Sequence, residues 1–217
     1  MRVLPLKSAS DSLAAGEIVK EHLAGDGLIA YPTETVYGLG SRANAEGLKR
    51  LAALKGRPPK KPFLLLVNGR TMAEDYGLTF NPAAVAMVAE FWPGPLTLVL
   101  RGGEGTLPDG LRGPEGGIAV RWTSNEAVAA LITFLGEPIT STSANIPGGP
   151  TAPGIGAIHK TFRDAVDRGY LLVLDGGVLG NVPPSTLVDC TTTEPKLIRE
   201  GAIPRAELRS RVGSYAP

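Results

Sequence analysis

Residues 28–40 read LIAYPTETVYGLG. An apolar run ends at Pro32, and residues with hydroxyl and carboxylate side chains follow it. The run 28–31 is typical of a buried strand, because it is short, continuous and bounded by proline. The polar residues that follow lie at the end of that strand, where α/β proteins commonly bind ligands. Thr33 and Glu34 are therefore candidate ligand contacts, and the alternative is a structural turn rich in threonine.

Apolar periodicity and chain-breaking residues on both sides of this stretch predict short strands mixed with helices. Strands are predicted at 1–6, 63–67, 96–100, 118–122, 139–141, 171–174, 185–189 and 196–198, and helices at 11–24, 45–55, 124–135 (capped by Ser124) and 155–168, after Asn81-Pro82 and after Pro204. Glycine and proline make 101–116 a long loop. Strands and helices do not alternate strictly, which predicts one α/β domain over 1–217 with a mixed sheet. Its core would span about 8–201, with a short helix at 204–212.

The composition excludes several classes of protein and of active site. The chain has 217 residues, a net charge of +1 and a single cysteine, Cys190, so it forms no internal disulfide. His22 and His159 are too few for a zinc site built from histidine and cysteine. No apolar run resembles a signal peptide or reaches the ~20 residues that span a bilayer. We therefore expect a soluble cytoplasmic protein without a membrane partner, in which Cys190 is a small buried filler.

Two loops concentrate groups that bind anions. Residues 55–62, KGRPPKKP, hold cations between prolines, and Lys55 and Arg57 are candidates for clamping phosphates. The alternative for such a charge run is a solvated face, but the prolines favour a stiff binding loop. Residues 140–151, TSTSANIPGGPT, offer hydroxyls, an amide and backbone N–H groups, which is typical of an anion-binding loop. The alternative there is a loop whose hydroxyls bond their own backbone.

The remaining candidates are dispersed at strand ends. Arg121 and Arg199 each end a predicted strand, and Ser185 begins one. Taken singly, such arginines are more simply explained as surface ion pairs. The sequence carries no P-loop, GxSxG or HExxH motif, and neither a Cys–His pair nor a Ser–His–Asp set is evident. The residues alone thus favour a site that aligns an anionic ligand, such as a nucleotide, over one that uses a covalent intermediate.

In this order the clusters resemble the YrdC-like threonylcarbamoyl-AMP synthase family. The shared pieces span residues 31–201 and read YPTETVYGLG, KGR with the proline after it, WPGPLTLVL, AVRW, STSAN, PPST and LIREG. The resemblance implies a twisted, mixed sheet with flanking helices around a basic concave pocket. It also implies a nucleotidyltransferase, an L-threonylcarbamoyladenylate synthase that makes threonylcarbamoyl-AMP and pyrophosphate from L-threonine, bicarbonate and ATP. That product would serve the threonylcarbamoyladenosine modification of tRNA.

The resemblance gives expected roles to ten residues. Lys55, Arg57, Ser143 and Asn145 would be catalytic and would hold the ATP phosphates and the adenylate, and Thr151 and Arg199 would be further ATP contacts. Thr33, Arg121, Ser141 and Ser185 would surround L-threonine, with its carboxylate on Arg121. The ATP would carry Mg²⁺, for which the sequence offers no dedicated ligand. Candidate partners are tRNA and tRNA-modifying proteins.

Two departures from the family pattern affect these expectations. Many members carry a histidine where this chain has Leu66, so Leu66 either walls the threonine pocket or points into the core. The chain also ends soon after LIREG, which predicts the short, single-domain form. Two other functions stay open: an RNA-binding module without catalysis, which the low net charge disfavours, and a related enzyme for a different carbamoyl substrate, which the KxR and SxN pairs disfavour.

Overall fold

The structure is a computed structural model that describes residues 2–56, 62–215 and 217. Its strands are β1 (Val3–Pro5), β2 (Leu28–Tyr31), β3 (Gly38–Gly40), β4 (Leu64–Leu66), β5 (Leu78–Thr79), β6 (Leu96–Gly102), β7 (Ile118–Arg121), β8 (Ile139–Ser143), β9 (Leu171–Asp175), β10 (Thr186–Asp189) and β11 (Lys196–Arg199). Its helices are α1 (Ala9–Ala24), α2 (Ala45–Lys55), α3 (Arg70–Asp75), α4 (Pro82–Phe91), α5 (Glu126–Leu135), α6 (Ile155–Thr161), α7 (Arg163–Asp167) and α8 (Arg205–Val212).

The strands form one mixed sheet in the order β1-β9-β2-β3-β8-β4-β7-β6-β10-β11, with β5 paired to β6. Neighbours such as β2 and β9 run parallel, and so do β6 and β10. Others, such as β3 with β8 and β6 with β7, run antiparallel. The predicted α/β fold class with a mixed sheet and flanking helices is therefore confirmed.

Local polar signals fix where the helices begin and end. Ser8 and Asp11 form a capping box at the start of α1. Asn44 caps α2, which ends where predicted because Gly56 adopts a left-handed conformation with φ +57°. The cap of α5 differs from the prediction by one residue: it is Asn125, not Ser124.

Asn81 caps α4, as predicted, and also fastens a distant loop. Its Oδ1 accepts a hydrogen bond from the N–H of Ala84 at 2.8 Å. Its Nδ2 donates to the carbonyls of Cys190 and Thr192 at 2.9 and 2.6 Å. Both ends of one amide are thus in use, and the segment that follows β10 is tied to the start of α4.

One face of the sheet packs against most of the helices. Alternate strand residues such as Ala30, Leu65, Leu98 and Val120 point to this face and are buried with side chains of α2, α4, α6, α7 and α8. Cys190 belongs to the same core, and burial, together with the charge of Asp189, raises the pKa of its thiol to about 12. The prediction of a buried filler at Cys190 is confirmed.

The opposite face is divided into two halves. On β2, β4, β8 and β9 it is covered by α1 and α5, and strand residues such as Ile29, Leu66 and Leu172 are buried under them. The two helices are joined to each other by the Ser12 hydroxyl, which donates to the carbonyl of Ala127 at 2.6 Å. On β6, β7 and β10 the same face lines an open cleft. We call these the covered half and the open half.

Three short elements escaped the sequence prediction: β3, α3 and β5. In β3 the cause is two glycines, which are poor strand formers. They are required because a Cβ on Gly38 or Gly40 would lie 2.9 Å from the ring of Tyr31. The helix predicted at 155–168 is two helices that meet at Phe162. In the described part of the chain, no helix combines the length and apolar character needed to cross a membrane.

Candidate active site

A cleft of about 860 Å³ lies over the open half of the sheet, a size typical of small-molecule sites. Eight of the ten residues with expected roles line it: Thr33, Arg121, Ser141, Ser143, Asn145, Thr151, Ser185 and Arg199. They come from segments far apart in sequence, and the sheet brings them to one place. The cleft is therefore the candidate active site.

The floor of the cleft consists of strand side chains that alternate with core residues. Thr97 and Val99 of β6 and Ala119 of β7 line the cleft, as do Ser185, just before β10, and Leu187 within it. Their sequence neighbours on the same strands are buried in the core on the other face. Each of these strands thus contributes one row of side chains to the core and the alternate row to the cleft.

Arg121, at the end of β7, is 4% exposed and contacts two separate segments, the turn after β2 and the segment before β6. Its Nη2 lies 2.7 Å from Oε1 of Glu34, forming an ion pair. Its Nε donates to the carbonyl of Gly94 at 3.2 Å, and its Nη1 donates to the hydroxyl of Thr35 at 3.3 Å. A buried guanidinium requires such partners, because desolvating an unpaired charge is costly.

Glu34 binds the segment that leads into α5 as well as Arg121. Its Oε2 accepts from the hydroxyl of Thr123 at 2.5 Å, and its Oε1 accepts from the N–H of Ser124 at 3.1 Å. Burial raises the pKa of Glu34, but Arg121 and these hydrogen bonds outweigh burial, so the pKa lies below its usual range. Glu34 is therefore a carboxylate at neutral pH.

Thr33 is the centre of a tight turn between β2 and β3. Its hydroxyl donates to the carbonyl of Val36 at 2.7 Å and accepts from the N–H groups of Thr35 and Val36 at 3.2 and 3.1 Å. The structural-turn interpretation is thus confirmed for these bonds. Thr33 also lines the cleft, so the same residue shapes the loop and forms part of the wall.

Lys55 joins the end of α2 to the hydroxyl-rich loop after β8. Its Nζ donates to the carbonyls of Ser143 and Asn145 at 2.6 and 2.5 Å and to Oδ1 of Asn145 at 2.9 Å. The same Oδ1 accepts from the Ser143 hydroxyl at 2.6 Å, and Nδ2 of Asn145 donates to the carbonyl of Gly149 at 2.7 Å. Lys55 is buried and does not belong to the cleft wall, whereas Ser143 and Asn145 do.

Arg199 of β11 is held against the start of β10. Its Nη2 donates to the carbonyl of Ser185 at 2.8 Å, and the Ser185 hydroxyl shares a 2.8 Å hydrogen bond with that of Thr97. Partial burial, and next the charge of Arg121, lower the pKa of Arg199, which nevertheless stays protonated at neutral pH. The two guanidinium groups act on one part of the cleft and make it favourable for anions.

Ser141 of β8 is backed by a buried tyrosine. Burial raises the pKa of Tyr31 above its usual range, and the Ser141 side chain forms a hydrogen bond with it. The Tyr31 hydroxyl also donates to the carbonyl of Thr140 at 3.3 Å. Thr151 lies on a more exposed part of the cleft wall.

Two predicted positions have different outcomes. Arg57 lies outside the described residues, together with 58–61, so its phosphate-clamping role stays a prediction from the sequence. Leu66 is 1% exposed and packs under α1 and α5. Of the two predictions for Leu66, the core position is confirmed and the pocket position is wrong. Its strand neighbour Leu64, on the same face, lines the cleft.

The sequence analysis missed the far end of the cleft, where Val99, Ala119, Leu187, Asp189 and Lys196 lie. Strict alternation along the predicted strands 96–100, 118–122 and 185–189 could have identified Val99, Ala119, Leu187 and Asp189 as facing away from the core. No comparable signal marks Lys196. Among the described residues, no group of three or more histidine, cysteine, aspartate or glutamate side chains could hold a metal ion.

The amino-acid sequence matches a family model over most of its length. The model is that of the Sua5, YciO and YrdC proteins, described as "Telomere recombination", and it matches residues 21–201. A threonylcarbamoyl-AMP synthase of Pyrococcus abyssi is 34% identical over 187 residues, which is 86% of this chain and 54% of that protein. A threonylcarbamoyl-AMP synthase of Marinobacter nauticus is 32% identical over 189 residues, 85% of this chain and 96% of that protein.

The fold is similar to that of a solved relative. The crystal structure of P. abyssi Sua5 complexed with L-threonine superposes with a TM-score of 0.87 at 29% identity, covering 99% of this chain and 62% of that one. The chain therefore spans about half the length of the Pyrococcus protein it matches, and nearly all of the Marinobacter protein.

Proposed function

The chain belongs to the Sua5, YciO and YrdC family, and on this premise we propose that it is an L-threonylcarbamoyladenylate synthase. The observation that carries the proposal is the convergence of eight expected site residues on one cleft over the open half of the sheet. Relatives named threonylcarbamoyl-AMP synthase and a relative solved with L-threonine support it.

The proposed reaction has two steps. The amine of L-threonine attacks the carbon of bicarbonate, and loss of water leaves a carbamate. A carbamate oxygen then attacks the α-phosphorus of ATP, forming threonylcarbamoyl-AMP and displacing pyrophosphate. Both steps join groups that are already reactive, so the protein contributes alignment and charge stabilisation, and no protein nucleophile is needed.

We assign the amino acid to the Arg121 end of the cleft. The guanidinium of Arg121 carries five N–H donors, and its two hydrogen bonds use one on Nε and one on Nη1. Nη2 lies 2.7 Å from Glu34 as an ion pair but makes no hydrogen bond within the described part of the chain, so N–H donors remain for a carboxylate. The hydroxyls of Ser141 and Ser185 line the same cleft and offer contacts for the polar groups of threonine. In this proposal Thr33 acts through the turn it shapes.

We assign the nucleotide to the side formed by the loop after β8. Ser143, Asn145 and Thr151 would contact the phosphates or the adenylate, together with Arg199 of the cleft wall. Arg57 is proposed as a further phosphate contact from the sequence alone. Lys55 would hold the loop in shape through its bonds to Ser143 and Asn145. Mg²⁺ would arrive with ATP as part of the substrate. We further propose that the protein works in the cytoplasm and hands its product to tRNA-modifying partners.

Pyrophosphate release tests the proposed function. We expect release from ATP to require L-threonine and bicarbonate together, and mass spectrometry to detect threonylcarbamoyl-AMP. Equal release in bicarbonate-free buffer would contradict the carbamate route and would indicate plain amino-acid activation. Product formation with a different amine in place of L-threonine would indicate a related enzyme with another carbamoyl substrate.

A further inference from the structure

Glu34 is absent from the cleft wall, yet it contacts the residue on which the amino-acid end of the cleft depends. Its carboxylate oxygen lies 2.7 Å from Nη2 of Arg121, and its side chain is 20% exposed against 5% for that of Arg121. An ion pair that is this buried is held in one geometry far more firmly than a surface pair.

Each of the three guanidinium nitrogens of Arg121 has a protein contact. The carbonyl of Gly94 accepts a hydrogen bond from Nε, and the hydroxyl of Thr35 accepts one from Nη1. The carboxylate of Glu34 forms an ion pair with Nη2. Gly94 and Thr35 contribute neutral acceptors at 3.2 and 3.3 Å, so the short contact and the counter-charge both come from Glu34. Losing Glu34 would leave a nearly buried cation with weak contacts only.

We propose that Glu34 is a positioning residue that fixes the guanidinium of Arg121 in the orientation that receives the substrate carboxylate. This rests on the proposed function, in which Arg121 binds the carboxylate of L-threonine. Glu34 balances the charge of Arg121 before substrate binds, so the arginine need not reorganise when the carboxylate arrives. Binding then depends on the direction of the remaining N–H groups.

Glu34 also has a plainly structural task, because it accepts bonds from Thr123 and Ser124 at the start of α5. A test must therefore separate positioning of Arg121 from general support of the loop. Glu34→Gln keeps the size of the side chain and an oxygen that accepts hydrogen bonds, and it removes the charge. Glu137→Gln is the matched control, because Glu137 pairs with Arg42 at 2.8 Å and neither residue lines the cleft.

The first measurement needs no substrate. The Arg121 Nε–H, observed by nuclear magnetic resonance, should exchange with solvent at least ~10-fold faster in Glu34→Gln than in the parent protein, because the arginine loses its strongest anchor. Glu137→Gln should leave this exchange unchanged. Equal exchange in Glu34→Gln and the parent would overturn the proposal, whatever the protein catalyses.

The second measurement is the steady-state kinetics of pyrophosphate release. In Glu34→Gln we expect KM for L-threonine to rise ~10-fold, with KM for ATP and kcat within ~2-fold. Glu34→Asp, which keeps the charge, should restore part of the loss. In an Arg121→Lys background the Glu34 substitution should add less than ~2-fold, because its effect runs through Arg121. Two results would overturn the proposal and show a structural role only. One is that the effects of Glu34→Gln and Arg121→Lys are fully additive, and the other is that KM for ATP rises as much as KM for L-threonine.

The two proposals fail in different ways. If the parent protein binds ATP but releases no pyrophosphate with L-threonine and bicarbonate, the proposed function is wrong, and the exchange of the Arg121 Nε–H still decides whether Glu34 holds the arginine. If Glu34→Gln does not fold, Glu34→Asp carries both measurements. Unchanged exchange and unchanged KM for L-threonine in that variant, with an unfolded Glu34→Gln, would mean that Glu34 serves the fold alone.

Discussion

On one face of a single sheet, the half under α1 and α5 is filled with apolar side chains, mostly leucine, isoleucine and valine. The half over β6, β7 and β10 is mixed, because threonine, serine and arginine stand there beside Val99, Ala119 and Leu187. The strands in both halves have the same apolar rows on their other face. The open half therefore needs no helix for its stability, because burial of one face already anchors its strands. The site lies where the sheet extends beyond the helices that cover it.

This contrast predicts that stability and turnover can be changed separately. The largest effect should come from the covered half. Leu131→Ala, in α5, removes a fully buried side chain and should lower the free energy of unfolding by about 2–5 kcal/mol, measured by urea denaturation. Its kcat/KM, measured at low temperature, should stay within about threefold of the parent, since the change is distant from the cleft.

The matched control for that variant is Leu13→Ala in α1. Leu13 is 64% exposed, so its truncation should change the free energy of unfolding by no more than about 0.5 kcal/mol. A large fall in kcat/KM for a well-folded Leu131→Ala protein would contradict the separation, because it would show that the covered half takes part in the reaction.

In the open half the opposite response is expected. Ala119→Phe places a ring in the floor of the cleft, where space is available, so the free energy of unfolding should change little. The ring would displace the substrate, and kcat/KM should fall about 100-fold, equivalent to roughly 2.7 kcal/mol. Ala127→Phe in α5 is the covered counterpart and should instead cost about 1–3 kcal/mol of stability through overpacking. Normal kinetics in Ala119→Phe would show that the floor of the cleft is not part of the active site.

Leu66 lies at the boundary between the two halves. Leu66→His buries an imidazole among apolar side chains and should destabilise the protein by about 1–3 kcal/mol at neutral pH. Burial lowers the pKa of an imidazole below the unfolded value of about 6.5, so the stability difference from the parent should grow as the pH falls through that value. The ratio of kcat/KM values for threonine, serine and valine should not change. Altered ratios in a folded variant would place this position in the amino-acid pocket after all.

The smallest effect is expected at Cys190. Cys190→Ala should cost about 1 kcal/mol or less, because it leaves only a small void in the core. Turnover should be unchanged, and the parent thiol should react slowly with iodoacetamide, since burial keeps it protonated. Loss of turnover in a stable Cys190→Ala protein would contradict the non-covalent reaction and would extend the site into the main core.

The sequence predicted most elements because their signals are local. Asn44 and Gly56 delimit α2 by themselves, and Asn81-Pro82 starts α4. The row of residues that faces the cleft was also within reach, since alternation follows from the strand itself. The sequence could not predict which part of that row stays uncovered by helices. That depends on how α1 and α5 pack together, and they are separated by about a hundred residues of chain.

Leu66 and Lys55 illustrate that limit. Leu64 and Leu66 share a face, and only the position of α5 puts one in the cleft wall and the other in the core. The sequence marked Lys55 as a binder of anions, and the structure places its ammonium on the carbonyls of Ser143 and Asn145. An ammonium group with three N–H donors can bind either an anion or backbone carbonyls. The sequence alone therefore cannot distinguish these two roles for Lys55.

Asn81 has a consequence for how such a chain can evolve. It accepts at one end of its amide to begin α4 and donates at the other to the segment holding Cys190 and Thr192. Aspartate could begin the helix but would face two carbonyl oxygens with a negative charge, and serine could not span both contacts. A single substitution therefore disrupts a helix end, a loop anchor or both. We therefore expect a substitution at this position to be tolerated only together with a second change that replaces the lost contact, so the start of α4 and the segment after β10 are constrained as a pair.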